Sequence, residues 1–340
     1  MSDLLNTPEL RQPLEALMER RRFLRNAGAA ALGLAGAGLL AKGAEASAAG
    51  GLDTTVLNFA MNLEYLEGEY YSLALTGKTL EENGIAVNGQ GTSGPVTVKA
   101  NPKVPFQTPL LQQFAQEITT DEQTHVRFVR KFLARLGVQP IARPAIDLLD
   151  SFNALAQAAG LGASFDPFAD EISFFIGAFI LSDVGVTAYK GSARLLTNPD
   201  VIENASGLLA VEAFHAANIR TNLIIANAAN PSAVIGGVGS PTTQGIAANV
   251  QLISNFRDNL DGASRDSNGV FQQDTDQGII GDTDQPGFPR QGLVNFAPSD
   301  VNVVGLGRTA RQVLNVVYAD PTGAAHSGGF FPNGANGALR

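Results

Sequence analysis

Apolar and small residues recur at helical spacing along much of the chain. From Asp53 to about Gly77, DTTVLNFAMNLEYLEGEYYSLALTG places them at 57, 60, 61, 68 and 71, one face of a helix. Asp53 or Thr54 can cap its start and Gly77 can end it. Residues 78–106 are rich in Gly, Asn and Thr around PVTVK and read as a long loop or a hairpin. Further helical patterns cover about Pro109 to Leu136, Pro144 to Ala159, Pro167 to Leu196 and Val201 to Ala229. Four long helices joined by loops, with no alternating strands between them, predict a mainly α fold, an antiparallel four-helix bundle over residues 52–230.

After Pro231 the texture changes. TTQGIAANVQLISNFRDNLDG predicts one more helix, residues 261–308 are loop-like, and RTARQVLNVVYAD is a short helix that Thr309 can cap. Residues 231–340 thus form an extension packed on the bundle. Its run DTDQGIIGDTDQPG lacks the order of oxygen ligands of a calcium-binding loop and reads as solvated.

Composition narrows the chemistry. The 340 residues hold 44% apolar side chains, enough for a sizeable core, and no cysteine. Any metal would therefore be held by oxygen and imidazole ligands, because thiolates are absent. A net charge of -9 argues against nucleic acid as a partner. The N-terminus carries Arg20, Arg21 and Arg22, then Phe23 and Leu24, an Ala/Gly/Leu run to Ala41, and small residues suited to cleavage after Ala46 or Ala48. That run is too short and glycine-rich for a good membrane span. It resembles a twin-arginine export signal over residues 1–48. The resemblance implies a periplasmic or secreted protein with no stable membrane insertion after signal removal.

Two of the three histidines sit in a repeated pattern: Glu122 with His125 in DEQTHVRF, and Glu212 with His215 in VEAFHAAN. Residues three apart share a helix face, so each pair can send a carboxylate and an imidazole towards one ion. Both pairs lie on stripes that should turn inward: Ala115, Ile118, Thr119, Val126 and Val129 on one helix, Leu208, Leu209, Ala216 and Ile219 on the other. Ferritin-like dimetal proteins combine two such pairs with one glutamate from each of two further helices. The first helix offers Glu64, with Glu67 one turn on. The predicted metal site is therefore Glu64, Glu122, His125, Glu212 and His215, suited to iron or manganese. Tyr65, Tyr70, Tyr71 and Tyr189 could carry a radical or a hydrogen bond near a metal, but read mainly as core packing with one wet hydroxyl. Lys190 and His326 read as surface residues.

LNFAMNLEYLEGEYY resembles the first helix of bacterioferritin-type proteins. The wider chain resembles the ferritin-like family of desiccation-associated proteins, through NLEYLEGEYY, DEQTHVRF, DVGVTAYKG, RTARQVLNVVYAD and FFPNGANG. The resemblance spans roughly residues 52–337 and implies a ferritin-like bundle, export and an association with stress. In one place the chain departs from it. Where that family carries EDVGVTAY, this chain reads SDVGVTAY, so Ser182 stands at the fourth carboxylate. Asp183 is turned about 100° away, and Glu171 lies about 16 Å along the axis. With three carboxylates ionised and both imidazoles neutral, two divalent ions are incompletely compensated. The sequence thus predicts a site that is empty, singly filled or asymmetric, and higher occupancy after Ser182→Glu.

Two functions fit these residues. One is a dimetal carboxylate centre reacting with dioxygen or peroxide. The other is a non-catalytic protective scaffold with a vestigial site. A homo-oligomer is compatible with either.

Overall fold

The computed structural model describes residues 38–232, 245–261, 264–265, 271–272, 276–281 and 292–340, with the backbone alone for 38–50, 264–265 and 271–272. Two compact units are distinguished, residues 1–50 and 51–340, and the candidate site lies in the second. The arginines of the expected export signal fall outside the described residues.

Helix α1 runs Gly38–Thr76, α2 Pro109–Arg135, α3 Asp150–Ala158, α4 Glu171–Ser192, α5 Pro199–Ala229, α6 Ile246–Asp261 and α7 Ala310–Tyr318. The bundle consists of α1, α2, α4 and α5. Contacts between α1 and α2 pair Tyr65 with Arg130, Tyr71 with Thr119 and Ser72 with Gln123. Those between α1 and α4 pair Glu64 with Tyr189 and Tyr71 with Ser182. Residue numbers rise on one helix as they fall on the other, so both neighbours run antiparallel to α1.

Helix α1 begins well before Asp53, at Gly38. Asp53 therefore does not cap it. Its carboxylate instead accepts from the backbone N–H of Thr197 (2.8 Å) and Asn198 (2.9 Å) at the entrance to α5. At the other end Gly77 takes φ 74°, and its N–H reaches the Leu73 carbonyl at 2.9 Å. Between Val56 and Ala74 most side chains are buried on every side of the helix, because α1 is wrapped by the rest of the molecule. Helix α4 is buried almost all round as well. It is long and apolar enough to cross a membrane, yet its apolar surface is mostly enclosed within the protein.

Local chemistry fixes the other boundaries. Glu171 accepts from the N–H groups of Gln107 and Thr108, holding the start of α2. Asp170 caps α4 through Ser173 N–H, and Asn198 caps α5 through Asp200 N–H. Thr309 and Gln312 close a reciprocal capping box on α7. Helix α3 starts at Asp150 rather than Pro144, because residues 146–147 form a strand and Asp147 accepts from the N–H of Leu149 and Asp150. That strand, β2 (Ile146–Asp147), pairs in parallel with β1 (Val96–Thr97). The PVTVK segment is thus not part of a hairpin. It crosses to a partner some fifty residues on, where a Cβ at Gly94 would come within 2.3 Å of the Ala145 nitrogen. A further short pair joins β3 (Ser264–Arg265) to β4 (Phe271–Gln272).

The C-terminal extension is tied to the bundle by buried charge. Arg220 of α5 makes a bidentate pair with Asp183 of α4 at 3.0 and 2.8 Å. Arg257 of α6 also reaches Asp183, at 3.0 Å, and pairs with Asp276. Arg308 pairs with Asp276 and Asp261. Both Arg220 and Arg257 lie over the Phe179 ring, 4.9 and 4.4 Å from its centroid. Asp276 belongs to the run read as solvated loop, and it is buried because it neutralises two guanidinium groups. The tail returns to α1, where Asn336 and Asn62 exchange two hydrogen bonds at 2.9 Å.

Candidate metal centre

Each bundle helix turns polar groups inward at the same level. Glu64 and Glu67 come from α1, Glu122 and His125 from α2, Ser182 and Tyr189 from α4, and Glu212 and His215 from α5. All eight are buried. On α2 the stripe Ala115, Ile118, Thr119, Glu122, His125, Val126 and Val129 is buried as its spacing predicts, and on α5 Glu212 and His215 lie between Leu208 and Ile219.

Ligand-capable atoms of Glu64, Glu122, His125 and Glu212 all lie within 4.8 Å of one another. Nδ1 of His125 faces Glu212 at 3.3 Å, Glu64 at 3.5 Å and Glu122 at 3.6 Å. Nδ1 of His215 faces the other oxygen of Glu122 at 3.0 Å. The two imidazoles are stacked, with centroids 6.0 Å apart. The five residues singled out from the sequence thus converge although they span some 150 positions. Glu122 sits between the rings with one oxygen towards each.

These approaches are close but out of line for hydrogen bonding. Within this cluster six buried atoms have no hydrogen-bond partner among the described residues: Oε2 of Glu64, both oxygens of Glu122, Oε2 of Glu212, and Nδ1 of both histidines. Orphaned buried donors and acceptors each carry a desolvation penalty, so six facing one another mark a place built for something to sit between them. The donor set, carboxylate oxygen and imidazole nitrogen, fits a first-row transition metal ion.

Around this centre three further atoms are held by protein. Nε2 of His215 lies 3.0 Å from Oδ2 of Asp121, a partly exposed carboxylate, which leaves Nδ1 turned inward. The Tyr189 hydroxyl donates to Oε1 of Glu64, so Oε2 is the oxygen left facing the cluster. The Ser182 hydroxyl donates to Oε2 of Glu67 at 2.9 Å, and the Tyr71 hydroxyl lies 2.7 Å from Ser182. The tyrosine hydroxyls are buried and bonded rather than wet: Tyr70 donates to the Phe174 carbonyl and Tyr65 to that of Ile141. Two of the four serve the site.

Without a metal, protons must neutralise this enclosure. Burial opposes a charged His125, but Glu122, Glu212 and Glu64 outweigh it and hold the proton far above the usual histidine range. Burial opposes charge on His215 too, and Glu122 raises it to about 9. For Glu122, burial is overcome by the two imidazoles and the carboxyl falls to about 2. Burial and the neighbouring Glu122 push Glu212 up to about 7. Glu67 is driven well above the carboxylate range by burial, then by Glu212, Glu122 and Glu64.

Sequence reasoning did not assign Asp121, Tyr189 or Glu67 to the site. The signal for Glu67 was its position three residues after Glu64 on the same helix face. Asp183, set aside on helical geometry, indeed faces away from the cluster, into the arginines of α5 and α6.

Comparison with known proteins agrees with this architecture. Residues 52–224 match the model of the ferritin-like domain. The chain is 31% identical over 175 residues to desiccation-related protein PCC13-62 of Craterostigma plantagineum, an alignment covering 50% of this chain and 53% of that protein, about half the relative's length. It is 28% identical over 293 residues to ferritin-like catalase Nec2 of Nesocodon mauritianus, covering 84% of each. No solved structure matches it. With half its length matched by the domain model and the four helices in place, the chain belongs to the ferritin-like domain family.

Proposed function

We propose that this is an exported, stress-associated protein whose buried cluster holds two divalent metal ions, iron or manganese, for chemistry on hydrogen peroxide or dioxygen. The observation that carries the reading is the set of six partnerless buried atoms on Glu64, Glu122, His125, Glu212 and His215. When bound, such a pair supplies open coordination positions and a Lewis-acidic, redox-active centre. The protein's own part is positioning. Glu122, with one oxygen towards each histidine, would be among the residues that hold the ions. Asp121 fixes the ring of His215, and Tyr189 fixes the carboxylate of Glu64. Peroxide is favoured as substrate by the similarity to a protein named a ferritin-like catalase, and the stress association by the similarity to a desiccation-related protein. Export rests on Arg20, Arg21, Phe23 and Leu24.

A non-catalytic scaffold is the second reading, favoured by Ser182 in place of a glutamate on α4. Oxygen release from hydrogen peroxide by protein loaded with Mn(II) or Fe(II) separates the two. The proposed activity requires turnover well above that of the free ion, lost at least roughly 100-fold in Glu122→Gln. Turnover no faster than the free ion would favour the scaffold.

A further inference from the structure

The helix that lacks a glutamate at 182 faces a helix that carries two. Glu67 is buried, and it enters from α1 into the space in front of α4. Ser182 and Gly185, three residues apart on one face of α4, line that space. Ser182 is short enough to admit Glu67, and its hydroxyl donates to Oε2 at 2.9 Å. Gly185 is what leaves room for the other oxygen: a Cβ there would stand 2.5 Å from Oε1 of Glu67 and 3.1 Å from Oε2 of Glu212. Those two distances limit the separation of the oxygens to 5.6 Å at most. Glu67 is therefore a neighbour of Glu212 across the cluster rather than a remote acid. A glutamate at 182 would carry one more methylene than the serine and end in a carboxylate, competing for the place that Oε2 of Glu67 occupies.

We propose that Glu67 supplies the carboxylate missing from α4, so that α1 contributes two acids and α4 contributes the slot and the hydroxyl that hold one of them. The inference rests on the dimetal reading above and changes its charge count. With Glu64, Glu67, Glu122 and Glu212, four carboxylates face two divalent ions, and the deficit inferred from Ser182 disappears. The pairing of Ser182 with Gly185 then has a physical reason, because either residue made larger would eject Glu67. On this view the site is a rearranged one with its full complement of acids.

Equilibrium titration of chelator-stripped protein with Mn(II) alone tests this, with metal per chain and thermal melting measured for each variant. Wild type is expected to bind two ions. Glu67→Gln, close in shape, is expected to keep its melting behaviour and to bind the second ion more than roughly tenfold more weakly. The exchange Glu67→Ser with Ser182→Glu returns the carboxylate to α4 and should restore two ions, whereas Ser182→Glu alone should not improve on wild type. Two ions bound with unchanged affinity by Glu67→Gln would overturn the role of Glu67 and leave the dimetal site standing. A single ion in wild type would overturn the four-carboxylate site. No ion in wild type would overturn the dimetal reading itself.

Discussion

The hydroxyl of Ser182 spends its one proton on Glu67, at 2.9 Å, so the Tyr71 hydroxyl 2.7 Å away must donate to Ser182 in turn. A buried relay from α1 to α4 and back to α1 thus holds Glu67, whose charge is opposed by burial and then by Glu212, Glu122 and Glu64. Ser182→Ala breaks it at both ends, stranding the tyrosine hydroxyl and freeing Glu67. We expect a stability loss of ~1–3 kcal/mol, the penalty for buried polar groups left unpaired. Chemical denaturation of the metal-free variant measures it, and an unchanged midpoint would show that water replaces the serine.

Asp121 is the point at which the centre meets solvent. Its carboxylate holds Nε2 of His215 while Nδ1 faces Glu122. Asp121→Asn keeps the shape and weakens the hold on the ring. Loss of such an outer partner costs about 10–100-fold in metal affinity. Competition against a chelator of known affinity should register that change with little effect on the melting of the metal-free protein. Equal affinity in the variant would remove Asp121 from the account.

Proton binding gives the metal-free protein a characteristic pH dependence. The folded protein holds the His215 proton up to about pH 9, above the unfolded value of ~6.5, so that contribution is complete below ~6.5 and is lost as pH rises through about 9. Glu212, raised to about 7, likewise binds its proton more tightly when folded, and stability falls as pH rises from ~4.5 through about 7. Glu122 acts in the opposite sense: held at about 2, it contributes above ~4.5 and that contribution is lost as pH falls through about 2. Metal displaces the histidine and carboxyl protons, so its stabilising effect grows with pH. Melting at about pH 6 and about pH 9, with and without Mn(II), is expected to show the stripped protein weakening towards pH 9 and the metal-induced rise in Tm widening. A metal effect independent of pH would contradict it.

The arginines that fasten the extension make another prediction. Asp183 is the shared partner of Arg220 and Arg257, both fully buried. Asp183→Ala leaves two guanidinium groups short of a counter-charge inside the protein, a change that costs ~3–5 kcal/mol where a buried pair is broken. The effect should appear as a lower denaturation midpoint, far larger than that of an exposed control such as Asp200→Ala. A loss similar to the control's would mean that Asp276 and the carbonyl contacts of the two arginines suffice.

What was legible in the sequence follows the physics of each element. Helices α2 and α5 each bury one stripe, so spacing announced both the stripe and the Glu-x-x-His pairs within it. Helix α1 is buried on all sides, and its periodicity could not say which way Glu64 and Glu67 point. The slot for Glu67 depends on Ser182 and Gly185 of a helix more than a hundred residues away, a relation that spacing within one helix does not carry. Charge misled in the extension, where Asp276 lies in a run that reads as solvated and is buried because it neutralises Arg257 and Arg308. The β1–β2 pair was hidden for the same kind of reason, since its register joins Val96 to Ile146 across the whole of α2.

On the proposed function, Glu64, Glu122, His125, Glu212 and His215 would enclose a pair of metal ions. Anomalous diffraction from crystals of Mn(II)-loaded protein, with data on both sides of the metal edge, tests it most directly. Two anomalous peaks are expected roughly 3.5–4 Å apart, lying between the two histidines beside Glu122. A single peak, or none within this cluster in fully loaded protein, would contradict it.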